Sequence, residues 1–103
     1  MKRFVYRYTT NGEGVFSAGK RLLPEELVEE VLERKKWSKK PKLKYGNYIF
    51  YLTEQGKEVY EKTLLLSHRK YLPNIKLETI SYDSLENIIY EDKYQIVVEV
   101  KND

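Results

Sequence analysis

The sequence contains no cysteine, so it has no disulfide framework, no thiolate metal site and no thiol nucleophile. It also lacks any apolar run close to the ~20 residues that a membrane-spanning helix requires. The N-terminal stretch MKRFVYRYTT is basic, but the apolar stretch and small-residue cleavage site of a secretory signal do not follow it. These absences predict a cytoplasmic protein without a membrane partner.

The composition is that of one small, highly charged globular domain. The chain has 103 residues, of which 41% are hydrophobic, 34% are charged and ten are tyrosines. At this length roughly two-thirds of the unfolded surface can be buried, which allows one core and a modest cleft. The sequence therefore predicts a single domain over residues 1–103.

Hydrophobic periodicity predicts the elements of that domain. Strands are expected where apolar and polar residues alternate, in RFVYRY, LKYGNYIFYLT, IKLETISY and KYQIVVEVK. Asn11-Gly12 suits a tight turn after the first strand. A helix is expected over Pro24–Lys36, and a second in EQGKEVYEKTLLLSH, capped by Thr53 and weakened by Gly56 by about 1 kcal/mol. A short third helix is expected in DSLENII, capped by Asp83.

Charged residues on alternate strand positions argue against a parallel sheet that is covered on both faces. The prediction is an α+β fold with a mostly antiparallel sheet of about four strands, packed by two main helices and the short third helix. The expected core residues are Phe4, Tyr6, Leu27, Val31, Ile49 or Phe50, Leu64, Ile96 and Val98.

Positive charge is concentrated in RKKWSKKPKLKY (Arg34–Tyr45, the basic segment), which holds seven lysines or arginines and no acid. Cations with interleaved rings are typical of nucleic-acid-binding surfaces, where they meet phosphates and stack on bases. The residues predicted to contact a nucleic acid or an acidic protein are Arg34, Lys35, Lys36, Trp37, Lys39, Lys40, Lys42, Lys44 and Tyr45. Alternatively, the preceding glutamates pair with these cations, and the segment is a solvated helix end and linker.

The stretch GVFSAGKR has glycines and a lysine (Gly14, Gly19, Lys20) at the spacing of a phosphate-binding loop. Arg21 replaces the hydroxyl residue that binds Mg²⁺ in such loops, and the helix expected from Pro24 begins too late to face a phosphate. We therefore expect an ordinary loop that leads into a helix.

The single histidine, His68, has no second metal ligand at a suitable spacing. The glutamates before the basic segment lie on the solvent side of an amphipathic helix, and no pair of carboxylates has a spacing that requires acid–base catalysis. No catalytic residue, cofactor or metal is predicted.

Two parts of the chain resemble known families. YIFYLTEQGKEVYEK is similar to the wing strand and following helix of winged-helix transcription regulators, through Leu52, Thr53, Gly56 and Lys57. That family has several helices upstream, whereas one is expected here. The resemblance implies the local strand-to-helix turn.

The order of FVYRYT, YIFYLTEQGKEVYEKT and the terminal YQIVVEV resembles that of small ADP-ribosyltransferase-like domains. The resemblance implies a nicotinamide pocket formed by Tyr6, Arg7 or Tyr8 together with Tyr51, with Glu99 as the acidic residue. The Ser-Thr-Ser strand characteristic of that family is missing from this sequence.

The favoured hypothesis is a non-catalytic intracellular binding module that contacts a polyanion through the basic segment. The alternatives are a small transferase that uses a nicotinamide nucleotide and an interaction domain that pairs through its sheet. No pattern in the sequence predicts an oligomeric state.

Overall fold

The strands form one antiparallel sheet with helices on one of its faces, so the predicted α+β class is confirmed. The computed structural model describes residues 2–38 and 41–100. Within these ranges the strands are β1 (Phe4–Thr10), β2 (Glu13–Gly14), β3 (Asn47–Leu52), β4 (Ile75–Ser81), β5 (Ile88–Glu91) and β6 (Gln95–Val100). The helices are α1 (Val15–Leu22), α2 (Glu25–Arg34), α3 (Glu54–Thr63) and α4 (Leu65–Tyr71), with a short 3-10 turn at Tyr82–Ser84.

The sheet consists of two well-paired halves joined at one residue pair. In the first half, β1 pairs with β4 along all of its seven residues and with β2 at its last two. In the second half, β3 pairs with β6, and β6 pairs with β5. The halves meet where Tyr6 of β1 lies opposite Leu52 of β3. Beyond that pair the two strands separate.

A tight hairpin covers the gap between the separated strands. Asn11 and Gly12 both have positive φ angles, 50° and 84°, as the predicted turn requires. The turn carries the chain into β2 and then directly into α1. The amino end of α1 is thereby held beside the point where β1 and β3 part.

Two apolar clusters lie on opposite faces of the sheet because successive strand residues point to opposite sides. On the helical face, β1 and β3 pack against α1, α3 and α4 in a cluster of Tyr8, Val15, Ala18, Leu52, Tyr60, Leu64, Leu65 and Leu72. On the other face, Val5, Ile96 and Val98 pack under the 3-10 turn and the residues that follow it. The predicted core residues Leu64, Ile96 and Val98 are buried, whereas Phe4 and Phe50 are exposed.

Several sequence predictions differ from the structure in detail. The described residues form six strands and four helices, rather than about four strands and two main helices. The expected loop before Pro24 is helix α1, because Val15, Ala18 and Gly19 recur at helical spacing and are buried. The long helix expected after Thr53 is divided into α3 and α4 at the fully buried Leu64.

The prediction of a short third helix in DSLENII is wrong. Residues Tyr82–Ser84 form only a 3-10 turn, and Asn87 has a positive φ of 59°, which an α-helix does not accommodate. The chain continues as β5, where Ile88 and its neighbours hydrogen-bond to the edge of β6. Hydrogen bonding to β6 therefore determines the structure of this segment more than its local helical pattern does.

Candidate functional site

The first cations of the basic segment form ion pairs with the glutamates of α2. Arg34 Nη2 lies 2.5 Å from Glu30 Oε1, and Lys36 Nζ lies 2.6 Å from Glu33 Oε1. These pairs have the i,i+4 and i,i+3 spacings that stabilise a helix surface. All four side chains are exposed, so each pair contributes little to stability.

Trp37 packs into the protein rather than presenting its ring beside the lysines. It lies against the helical-face cluster, and its ring meets Tyr94 edge-on with centroids 5.7 Å apart. Its Nε1 is buried and has no hydrogen-bond partner among the described residues. The indole therefore anchors the end of α2 to the start of β6.

The remainder of the basic segment lies on the surface where it is described. Lys42 and Lys44 are exposed, and the ring of Tyr45 is fully exposed. Tyr48 donates a hydrogen bond to the backbone oxygen of Lys44 at 2.6 Å. The predicted contact residues Lys39 and Lys40 lie outside the described residues.

The start of the basic segment crosses the gap between the two halves of the sheet. Lys35 Nζ lies 4.4 Å from the ring centroid of Phe16, in the first turn of α1. Ser38 Oγ donates to Gln95 Oε1 in β6 at 3.3 Å. Lys35 thus connects the start of the segment to α1, and Ser38 connects it to the second half of the sheet.

These elements enclose a cavity of about 660 Å³ (the cleft). It lies where β1 and β3 separate, between the β2–α1 connection and the basic segment. Its walls are Arg7 and Tyr8 from β1, residues 12–17 and Lys20 from the turn, β2 and α1, Lys35, Ser38 and Leu43 from the basic segment, Tyr48–Leu52 from β3, and Gln95 from β6.

The cleft is positively charged. Three cations line it, namely Arg7, Lys20 and Lys35. Among the described lining residues Glu13 is the only carboxylate, and Arg21 holds it in an ion pair of 2.7 Å. A cleft lined by one sign of charge concentrates ligands of the opposite sign.

The guanidinium of Arg7 lies beside the amino end of α1. A Cβ atom at Gly14, the residue before the first turn of α1, would lie 3.5 Å from Arg7 Nη2. No acidic residue occupies that turn, and no side chain caps it. Arg7 Nη1 also lies 4.0 Å from Glu78 Oε2 on the neighbouring strand, which makes this a long ion pair.

Aromatic rings form much of the remaining wall. Phe16, Tyr48, Phe50 and Tyr51 all line the cleft. Tyr8 lines it as well, but its hydroxyl donates to Glu61, and burial, followed by this hydrogen bond, raises the pKa of Tyr8. Tyr8 therefore stays neutral at physiological pH.

Comparison with known proteins gives no relative from which a function could be transferred. No family model matches the sequence, and neither a curated protein nor a solved structure is significantly similar to it. The geometry described above is therefore the basis for any functional assignment.

Only some of the residues named by the two partial resemblances lie at the cleft or at the turn between β3 and α3. Of the residues that the ADP-ribosyltransferase-like resemblance names, Arg7, Tyr8 and Tyr51 line the cleft, whereas Tyr6 and Glu99 are not among the lining residues. The strand-to-helix turn implied by the winged-helix resemblance is present, where β3 leads directly through a Thr cap into α3.

The residues that resemble a phosphate-binding loop do not form a loop. Gly14 precedes α1, and both Gly19 and Lys20 lie within that helix. Lys20 nevertheless lines the cleft. Within residues 2–38 and 41–100, no group of three His, Asp or Glu side chains is placed to hold a metal ion. None of the described helices has the length and apolar character needed to cross a membrane.

The sequence pattern did not reveal the cleft as a whole. Its walls come from segments that are widely separated in the chain, and the pairing of β1 with β3 at a single position creates the space. The helical recurrence of Val15, Ala18 and Gly19 is the signal that could have identified α1 and its amino end.

Proposed function

We propose that the protein is a binding module whose ligand is a nucleotide-class molecule, an aromatic base that carries phosphate, held in the cleft. The observation that supports this best is the combination of three cations and several aromatic rings around one cavity. A volume of about 660 Å³ lies within the range of roughly 300–1,000 Å³ that small-molecule sites occupy.

The phosphate would lie towards Arg7 and the amino end of α1. A guanidinium forms paired hydrogen bonds with phosphate oxygens, and the free N–H groups of a helix amino end favour negative charge. Lys20 and Lys35 line the same cleft and add to its positive potential. The basic segment then contributes to anion binding mainly through Lys35.

The base would lie against the aromatic part of the wall. Phe16 of α1 lines the cleft together with Tyr48 and Phe50, which alternate with Tyr51 along β3 and share the helical face of the sheet with Leu52. Stacking of a base on an aromatic side chain contributes about 1–3 kcal/mol. Gln95 also lines the cleft, where its Oε1 accepts a hydrogen bond from Ser38 Oγ.

A binding role rather than catalysis is favoured by the acids of the cleft. Glu13, paired with Arg21, is the one carboxylate among the described lining residues. A carboxylate whose oxygens are occupied by a guanidinium is poorly placed to accept a proton from a substrate. The proposal is therefore recognition of the ligand without turnover.

The test is calorimetric titration of the full chain with ADP, AMP, NAD, adenosine and inorganic phosphate. We expect the nucleotides to bind more tightly than adenosine or phosphate alone, and to raise the unfolding temperature. Lys20→Gln and Lys35→Gln should each weaken nucleotide binding about tenfold, in line with the loss of one charge-assisted contact.

Lys44→Gln is the matched control, because it removes the same charge from the same basic segment outside the cleft. Equal losses in Lys35→Gln and Lys44→Gln, or no heat and no thermal shift with millimolar nucleotide, would overturn the proposal. Release of nicotinamide from NAD would replace it with the transferase hypothesis.

A second candidate function is binding of a polyanion, nucleic acid or an acidic protein, on the outer surface of the basic segment. The exposed ring of Tyr45 next to the exposed Lys44 and near Lys42 favours it. Fluorescence anisotropy with a single-stranded oligonucleotide, repeated over a range of salt concentrations, tests this candidate. Lys42→Ala and Lys44→Ala should weaken binding and reduce its salt dependence, and free nucleotide that fills the cleft should not compete.

A further inference from the structure

Strand β4 forms an edge of the sheet. It pairs with β1 along all seven of its residues, and no other described strand pairs with it. Its sequence, IKLETIS, contains no proline or glycine that would interrupt pairing on the open side. An edge of this kind presents a row of backbone N–H and C=O groups to a further strand.

The other terminal strand is less suited to pairing. β5 has four residues, and its register with β6 is irregular between Ile88 and Tyr90. Irregular pairing of this type bends a strand and protects an edge. β4 is therefore a longer and more regular edge than β5 or the two-residue β2.

The side chains along β4 are complementary to themselves. Lys76 and Glu78 flank Leu77, and all three are exposed. If two copies of this strand lie antiparallel with Leu77 at the centre, each Lys76 lies opposite the Glu78 of the other copy. The two leucines then meet on the other face of the combined sheet.

We propose that β4 pairs with β4 of a second copy of this chain, antiparallel and in register at Leu77, to form a symmetric dimer with one continuous sheet. Opposite charges on directly facing residues stabilise such a pair, and symmetry provides the interaction twice. Arg7 lies 4.0 Å from Glu78 on the same face of the sheet and adds a second cation to each pair.

A second copy fits this edge better than an unrelated strand. Lys76 forms no ion pair with the described residues of its own chain, and the dimer supplies it with a carboxylate. A lysine on an edge strand usually disfavours pairing with another strand. In the proposed dimer each Lys76 faces a glutamate of the second copy, so the lysine favours pairing with this strand over pairing with an unrelated one.

The test is the molar mass of the full chain in solution, measured by sedimentation equilibrium over a wide concentration range. We expect a reversible dimer for the wild-type protein. Lys76→Glu and Glu78→Lys each place like charges opposite one another twice, and each should raise the dissociation constant at least tenfold. Glu86→Lys, a charge reversal at an exposed residue outside β4, should leave it unchanged.

Mixing the two variants gives the decisive measurement. A Lys76→Glu chain has two acids along the edge, and a Glu78→Lys chain has two lysines, so an equimolar mixture should form a heterodimer. The double exchange K76E/E78K should likewise restore the homodimer. Circular dichroism on each variant checks that the monomer is folded.

A wild-type chain that stays monomeric at the highest concentration, or two variants that do not associate when mixed, would overturn the proposal. A dimer that all of these substitutions leave intact would show that another surface forms it, which equally overturns it. The Lys76→Glu measurement is independent of ligand binding, because Lys76 is not among the residues that line the cleft, whereas Glu78 lies beside Arg7 of the cleft.

Discussion

The phenol oxygen of Tyr60 lies 2.6 Å from Nδ1 of His68, and both side chains are completely buried. Burial raises the pKa of Tyr60, so its hydroxyl keeps its proton and can donate to Nδ1. In that arrangement the proton of the neutral imidazole is on Nε2. Nε2 has no partner among the described residues, and it lies beside Gly19 at a small cavity of about 30 Å³, which is large enough to hold a water molecule.

The imidazole should remain neutral well below the usual pH of histidine titration. Burial, and next the nearby charge of Lys35, lower the pKa of His68 to about 4. Because His68 is the only histidine, its ring resonances can be assigned directly in a two-dimensional NMR titration. A midpoint near 6.5 would contradict the buried pairing with Tyr60.

The same shift makes the stability of the protein depend on pH. The folded chain binds this proton with a pKa of about 4 and the unfolded chain with one near 6.5, so unfolding takes up a proton between these values. The contribution is fully present above pH 6.5 and is lost as the pH falls towards 4. It amounts to at most about 3 kcal/mol in the free energy of unfolding.

Urea unfolding of the wild type and of His68→Gln at a series of pH values measures this contribution. Carboxylates titrate in both proteins, so the difference between the two curves reports on His68. The difference should diminish from pH 6.5 towards pH 4. A constant difference over that range would contradict the prediction.

Two glycines inside helices should respond in opposite ways to the same substitution. A Cβ atom at Gly56 would lie 1.9 Å from the backbone oxygen of Tyr94, whereas one at Gly19 would lie 3.4 Å from its nearest neighbours. We expect Gly56→Ala to destabilise the protein by at least about 2 kcal/mol, since the backbone must move. Gly19→Ala should stabilise it by up to about 1 kcal/mol through helix propensity.

Thermal and urea unfolding of both variants check this contrast. A Gly56→Ala protein as stable as the wild type would mean that α3 does not approach the start of β6 as closely as described. Gly19→Ala is the control for a general effect of alanine in these helices.

Gly56 also illustrates which features the sequence can predict. That glycine lowers helix stability at this position could be anticipated from the sequence. That no larger residue fits there depends on the backbone of Tyr94, which is far away in the chain. Features set by neighbouring residues were predicted well, such as the turn at Asn11-Gly12, the Thr53 cap and the presence of strand β6. Features set by distant contacts, such as β5 and the cleft, were not.

Among the residues of the basic segment, the same distinction holds. The ion pair of Arg34 with Glu30 follows from helical spacing and was one of the two interpretations open from the sequence. The inward packing of Trp37 against Tyr94 depends on where β6 lies, which no local pattern specifies. A tryptophan among lysines therefore has the composition of a stacking surface without its geometry.

Thr53 should be important for stability because its hydroxyl connects two elements. Its oxygen accepts from the Gly56 N–H at 3.0 Å and donates to the Lys93 backbone oxygen at 2.6 Å. Thr53→Ala removes both bonds and should cost about 1–2 kcal/mol in the free energy of unfolding. Thr53→Ser retains the hydroxyl and should recover most of this loss. Equal stability of the two variants in urea would contradict the capping role.

The two aromatic rings of the basic segment should differ in how much they contribute to stability. Trp37 is half-buried against Tyr94 and the helical-face cluster, so Trp37→Ala should lower the free energy of unfolding by about 2 kcal/mol, less than a fully buried tryptophan would. Tyr45 is fully exposed, and Tyr45→Ala should leave stability within about 0.5 kcal/mol of the wild type.

Urea unfolding measures both effects on stability. It is monitored by circular dichroism, because Trp37 is the only tryptophan and its removal eliminates the tryptophan fluorescence signal. Oligonucleotide binding to the folded variants then tests the role of each ring. If the outer surface of the basic segment binds nucleic acid, affinity should fall in Tyr45→Ala and persist in folded Trp37→Ala. The reverse result, unchanged stability with lost binding in Trp37→Ala, would mean that the indole is available for stacking. The packing of its ring against Tyr94 and the helical-face cluster argues against that outcome, because these contacts leave less of the indole open to a base.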